Sequence, residues 1–298
     1  MALKPVGTIA IPAAAGSSFD HGAFDPKTRR IFVAHTGRDC VEVINHDAGR
    51  HIATLSGFPE AAGVVADDGQ VLVTNRGAAS LAWLDAKSLE TQAVFQTGAR
   101  PNGVAIVARQ GLAIAAAIGD DDGRGARLEV FSRDGLHRAI ALPGRPRWCV
   151  TNAAADRVYL AIREPSMVFI AHLPDLTGIE HWPLPARGAH GLDIDNRRGR
   201  LYVACDDATL VEVETGAGTV INQWPIAGAP DVAFFNPSTG RVHVAIGEPG
   251  VVQTIDPRTG ASEQIATGAG AHTTALAAPD RLYVFSPAHS GAIALMDA

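Results

Sequence analysis

Cysteine is scarce: three residues among 298, at positions 40, 149 and 205, an odd number in three distant segments. They form no CxxC pair and suggest no disulfide framework, which sets aside a dithiol redox site and a disulfide-stapled scaffold. Positive charge is also short, with 25 Lys and Arg against 31 Asp and Glu and a formal charge of −6. Phosphate backbones are bound by clustered Lys and Arg, so a nucleic-acid partner is excluded as an expectation. No apolar run approaches the roughly 18 residues of a membrane span, so no membrane contact is expected. The opening stretch MALKPVGTIAIPAAAG is interrupted by Pro5, Gly7 and Pro12. It reads as no signal peptide, and a cytoplasmic location is the simplest expectation. Missing too are GxSxG, a P-loop, HExxH and a dinucleotide GxGxxG, which removes serine-nucleophile, nucleotide and zincin readings. No segment predicts a helix of useful length.

What the chain has is repetition. Ala229 to Gly270 holds four short apolar runs, DVAFF, RVHVAI, VVQTID and EQIAT, parted by NPSTG, GEPG and DPRTG. Four strands joined by tight turns in that span make one propeller blade. Taking the residue just before each innermost strand as an anchor gives Asp20, Ala62, Asn102, Arg147, His190, Asp231 and His272, spaced 42, 40, 45, 43, 41 and 41 residues apart. Seven units of one period predict an all-β fold, a single seven-bladed β-propeller over residues 1–298. The last unit stops after its third strand, GAIALMDA, while VGTIAIPA stands unassigned before the first anchor. Bare strand edges invite aggregation, so Val6 to Ile11 is expected to complete the last blade beside Gly291 to Met296.

The units RPNGVAI at Arg100 to Ile106 and QVLVTN at Gln70 to Asn75 resemble the YVTN-type repeats of the YncE-like seven-bladed propellers. The resemblance covers essentially the whole chain, but its motifs specify strands and turns. It implies a wider group that includes lactonases, a streptogramin lyase and non-enzymatic binding proteins, so fold analogy does not choose among them.

In a propeller the anchors ring one mouth of a central channel, and six of these seven are polar. His190, Asp231 and His272 come from consecutive blades and place two imidazoles around one carboxylate. That set suits a base oriented by an acid or, with Glu248, one divalent metal ion. Arg147 suits a ligand carboxylate, Asn102 shares the ring, and Trp148 offers a flat wall or simply packs. His35 and His21 are further candidates, with Asn75, Arg76, Asp120 to Asp122, Arg163, Glu164, Asp206 and Asp207 in the loops above. The opposing reading is a solvated polar ring with turn residues. Asp193 breaks an apolar slot, which predicts anchoring by backbone amides, with catalysis as the alternative. His243 stands where other units carry Phe or Tyr and reads as a core aromatic. The other histidines, His51 among them, are expected on the surface, with His289 near the mouth. Two functions follow: a small-molecule site with lactonase-like hydrolase or lyase chemistry, or a scaffold binding a protein or peptide across the face.

Overall fold

The computed structural model describes residues 3–297 except 278 and 280. Seven four-stranded antiparallel sheets stand in a ring, six of them running from channel to rim in chain order. The last sheet confirms the expected closure: Lys4–Ala10 is the outer strand beside Gly291–Met296, whose inner neighbours are Arg281–Ser286 and Thr273–Ala277. The strand begins two residues earlier than its apolar pattern indicates and ends one earlier, with Lys4 paired to Met296 and Ala10 to Gly291.

Second strands explain why blades stack. In Arg30–His35, Gln70–Asn75, Arg157–Ile162, Arg200–Cys205, Arg241–Ile246 and Arg281–Ser286, every residue after the first is buried. A strand covered on both faces reads as a nearly continuous apolar run, and β-branched and aromatic residues fill it. Phe32, Tyr159, Tyr202 and Tyr283 fill one slot between blades, each at most 2% exposed. Outer strands such as Arg50–Ser56 are half-buried to exposed along their length and carry polar residues.

The mouth is built by a repeated irregularity. In blade 3 Pro101 faces Ala117 and Gly103 faces Ala116, which leaves Asn102 as an extra residue. In blade 5 His190 is extra in the same way, between Ala189 and Gly191. Arg147 lies in the shift between Pro146 and Cys149 of blade 4. A bulge of this kind bends the strand and re-aims a side chain. Blades 1 and 6 place two residues against one just before the strand, Asp20 and His21 against Ala34, and Asp231 and Val232 against Ala245. The glycine after two of these anchors has its own reason. A Cβ on Gly103 would lie 2.1 Å from the Arg147 carbonyl oxygen, and one on Gly191 would lie 2.7 Å from that of Asp231. Each anchor's backbone packs on the preceding blade where only glycine leaves room.

Asp193 has the anchoring role its odd slot predicts. It accepts from the amides of Ile194 (2.8 Å) and Phe235 (2.7 Å), tying the inner strand of blade 5, Ala189–Asp195, to that of blade 6, Ala233–Asn236. Burial outweighs both bonds and pushes its carboxyl up to about 7. A carboxyl raised above its unfolded value of about 3.9 loses stability as pH climbs from that value to the folded one. The stability difference between wild type and Asp193→Asn, measured by urea midpoint, should therefore change in the variant's favour between pH 5 and pH 8. A constant difference would show that the carboxyl is ionised throughout.

Candidate functional site

Six of the seven anchors, all but Ala62, line one cavity of about 380 Å³, together with Arg76, Gly247 and Glu248. Two arcs of hydrogen bonds hold them. On one side Arg163 Nε donates to Asp206 Oδ2 (2.6 Å), His190 Nδ1 meets Asp206 Oδ1 (2.8 Å), and His190 Nε2 meets Asp231 Oδ1 (3.0 Å). Both His190 nitrogens face carboxylates that can only accept, so both bonds require an imidazolium. Burial pulls His190 down, but the bonds to Asp206 and Asp231 outweigh it and raise its pKa. Burial likewise works to raise Asp231, and the bond and charge of His190, with His21 and His272 nearby, hold the carboxyl well below the usual carboxylate range.

His272 is placed differently. Its Nε2 lies 3.0 Å from the Phe19 carbonyl and 3.6 Å from Asp231 Oδ2. A carbonyl only accepts, so Nε2 carries the hydrogen, and the tautomer this selects has its lone pair on Nδ1. Nδ1 has no partner among the described residues, and a methyl on Gly247 would lie 3.4 Å from it.

On the other side Arg76 pairs with Asp20 and reaches Asn102 Oδ1 (2.5 Å), while Asp20 Oδ1 takes His21 Nδ1 (2.5 Å). Burial opposes ionisation of Asp20, but Arg76 and His21 win and lower its pKa. His21 does not line the cavity. Its ring is 3% exposed and stacks on Trp148 with centroids 3.7 Å apart at 4°. Blades 1 and 4 stand across the ring from one another, so this stack spans between their inner strands. Trp148 thus packs, and what it packs on is the histidine expected at the mouth.

Between the two arcs stands Arg147. Its guanidinium has no hydrogen-bond partner among the described residues, and its Nε is buried. Burial, with Arg145 and Arg163 close by, pulls its pKa down to about 10.

His35 requires a correction. It is fully buried, stacked on Phe19 at 4.2 Å and bonded to Glu42 (2.8 Å) and Ser17 (2.9 Å), so it cannot contact a ligand at the mouth. The signal lay in the repeat: four of the six matching strand-end residues, Ala117, Ile162, Cys205 and Ile246, are small or apolar, and all six, Asn75 and Ser286 included, are buried. The mouth is entered by the following residue, which gives Arg76, Arg163, Asp206 and Gly247. His51, expected on the surface, is a second imidazole on Glu42 at 2.8 Å. His243 is a core residue as expected, but it also bonds Asp297, a role no slot comparison shows. Asp120 is engaged by its own loop through Arg124. Arg145 and Arg187, which line an adjoining cavity of about 660 Å³ with Arg163 and Glu164, had no sequence signal beyond their charge.

Two places could hold a cation. His35, Cys40 and Glu42 bring ligand atoms within 4.8 Å of one another. Glu42 is already engaged by His35, His51 and Thr54, and burial beside Glu42 pushes the Cys40 thiol up to about 12. A metal there would have to displace protons and break this network. At the mouth a cation would find His272 Nδ1 and the exposed Glu248 carboxylate free. Recruiting His190 and Asp231 as well means breaking the bond between them.

No family model matches the chain, and no curated protein sequence matches it. Among solved structures 1715 chains are similar, which makes the architecture widely shared. One is the hydrazine synthase of Kuenenia stuttgartiensis, at a TM-score of 0.81 and 12% identity over 95% of this chain and 96% of that one. Identity that low shows the fold alone: the chain is a seven-bladed β-propeller closed by its N-terminal strand.

Proposed function

We propose that the chain binds a small molecule at the channel mouth and that His272 transfers a proton to or from it, in hydrolase or lyase chemistry of the kind the YVTN-like resemblance implies. The observation that carries this reading is the His272 Nδ1 lone pair, oriented by the Phe19 carbonyl and open on the side of Gly247. A base must be held in one tautomer with its free nitrogen toward the substrate, and a backbone carbonyl behind the ring does this. His190 has another task. Locked between Asp206 and Asp231, it fixes the carboxylate beside His272 and keeps it ionised, so it positions rather than reacts.

The test is a thermal-shift panel of small lactones, esters and carboxylic acids, followed by turnover assays on those that bind. Bound metal is measured after native purification. Wild type should gain melting temperature with at least one compound. His272→Gln should keep that shift and lose turnover by about a hundredfold or more, within the usual range for a general base. Gly247→Ala should slow turnover while preserving the fold. A panel that never moves the melting temperature would overturn the small-molecule reading and favour a protein-contacting face. Unchanged turnover in His272→Gln would overturn the base.

A further inference from the structure

We propose that the ligand carries an oxyanion, carboxylate or phosphate, held by Arg147 with Arg145 and Arg163 beside it; this rests on the small-molecule reading above. Arg147 is the only polar anchor among the described residues without a hydrogen bond, whereas Asp20, Asn102, His190, Asp231 and His272 all have protein partners. A largely buried guanidinium carries five N–H donors and cannot shed its charge near neutral pH, so leaving it bare is costly.

Its neighbours add to that cost. The Arg163 amide donates to the Arg145 carbonyl at 2.8 Å, holding a second arginine beside a third. Arg145 also has a buried Nε without a partner. Burial lowers the Arg147 pKa first, and repulsion from Arg145 and Arg163 adds to it; burial and then Arg163 do the same to Arg145. With the His190 imidazolium they form a cationic cluster whose ion pairs among the described residues are to Asp206 and Asp231.

The remaining carboxylates nearby are engaged elsewhere or exposed. Asp121 pairs with Arg100 (2.5 Å) and Asp122 with Arg124 (3.3 Å), Asp207 accepts from the Arg187 amide (2.7 Å), and Glu164 is exposed at the rim. Arg147 lines the same cavity as His272, while Arg145 and Arg163 line the adjoining one. A planar guanidinium grips two oxygens at once, so an oxyanion here would be anchored at a fixed distance from the base.

The probes are inorganic phosphate and acetate, titrated by calorimetry and thermal shift against wild type, Arg147→Gln, Arg147→Lys, Arg145→Gln and His272→Gln. Wild type should bind at least one anion and gain melting temperature with it. Arg147→Gln should weaken binding by about tenfold or more, as expected when a charge-assisted pair is lost. Arg147→Lys should restore phosphate better than acetate, because a point charge replaces the fork. Arg145→Gln should weaken binding less, and His272→Gln should leave it in place.

Equal affinity in wild type and a folded Arg147→Gln, or no anion binding by wild type, overturns the proposal. If anion binding is independent of Arg147 while His272→Gln still removes turnover of a panel compound, the oxyanion anchor falls and the small-molecule reading stands. If the panel finds no compound at all, both fall.

Discussion

Deleting residues 1–11 should lower the melting temperature by 10 °C or more, or leave the chain insoluble. The strand Lys4–Ala10 lies along the full length of Gly291–Met296, and the amide of Ile11 continues the contact to the Ser290 carbonyl. Ile9 and Ile11, 5% and 4% exposed, pack with Phe19, Ile31 and Phe285 in one cluster that joins blades 7 and 1. Losing two buried isoleucines removes about 2–3 kcal/mol of apolar burial each. Nothing refills the space, and the third strand of blade 7 becomes an unpaired edge. The apolar burial alone, on the order of 5 kcal/mol, corresponds to about 8 °C for a protein of this size, and the cavity and the lost strand pairing add to it. The double variant Ile9→Ala, Ile11→Ala keeps the backbone pairing and should fall in between. Circular dichroism melts with size-exclusion chromatography decide it. An unchanged melting temperature in the deletion would mean that the ring closes without this strand.

The fold was legible because a propeller writes its geometry into a period. Each blade repeats the alternation, turns and apolar second strand of Ala229 to Gly270, so seven weak signals reinforce one another. The closing strand was legible by the same count, since one unit lacked a strand and the chain start supplied one. The ring of anchors was also readable, because position within the repeat fixes which side chain meets the channel. The bonds among those anchors were not. Period says that His190 and His272 reach the mouth, but not that one ring is held by two carboxylates and the other by a backbone carbonyl. That difference depends on χ angles and on Asp206, which comes from the second strand's end rather than from the anchor slot.

His35 and His21 show the opposite failure. Both lie within a residue or two of positions that do reach the mouth, and alternation along a strand turns such an offset into a change of side. His35 is buried against Phe19 and Glu42, and His21 is stacked on Trp148. The contrast also bears on chemistry. His35, bonded through both ring nitrogens to Glu42 and Ser17, is a satisfied structural group, and His21 is bonded to Asp20 and packed on Trp148 away from the cavity lining, while His272 and Arg147 have free functional atoms at the cavity. Unpaired polar atoms in a concave site, rather than histidine count, single out the residues with capacity left for a ligand.

Asp297→Ala should destabilise the protein by about 3–5 kcal/mol, the range seen when one partner of a buried charge pair is removed. The carboxylate is 1% exposed and receives four side chains of blade 6: Asn236 Nδ2, Thr239 Oγ1, Arg241 Nη1 and His243 Nε2, each at 2.8 Å. It follows directly on the third strand of blade 7, so these bonds clasp that blade to its neighbour. Burial works to raise the carboxyl, but His243, Thr239 and Asn236 outweigh it and hold its pKa well below the usual range. A carboxyl depressed in this way contributes stability that is present above its unfolded value of about 3.9 and lost as pH falls through the folded value. Wild type should therefore lose more stability than Asp297→Asn on acidification from pH 5 to pH 3. His243→Phe restores the aromatic that Phe32 and Tyr283 provide in the same slot, while taking one donor from Asp297. The double variant Asp297→Ala, His243→Phe should then cost less than the sum of the two single changes, because neither polar group is left buried without the other. Urea midpoints of the four proteins test the coupling. Strict additivity would show that the clasp is carried by Arg241, Thr239 and Asn236 and that His243 only fills space.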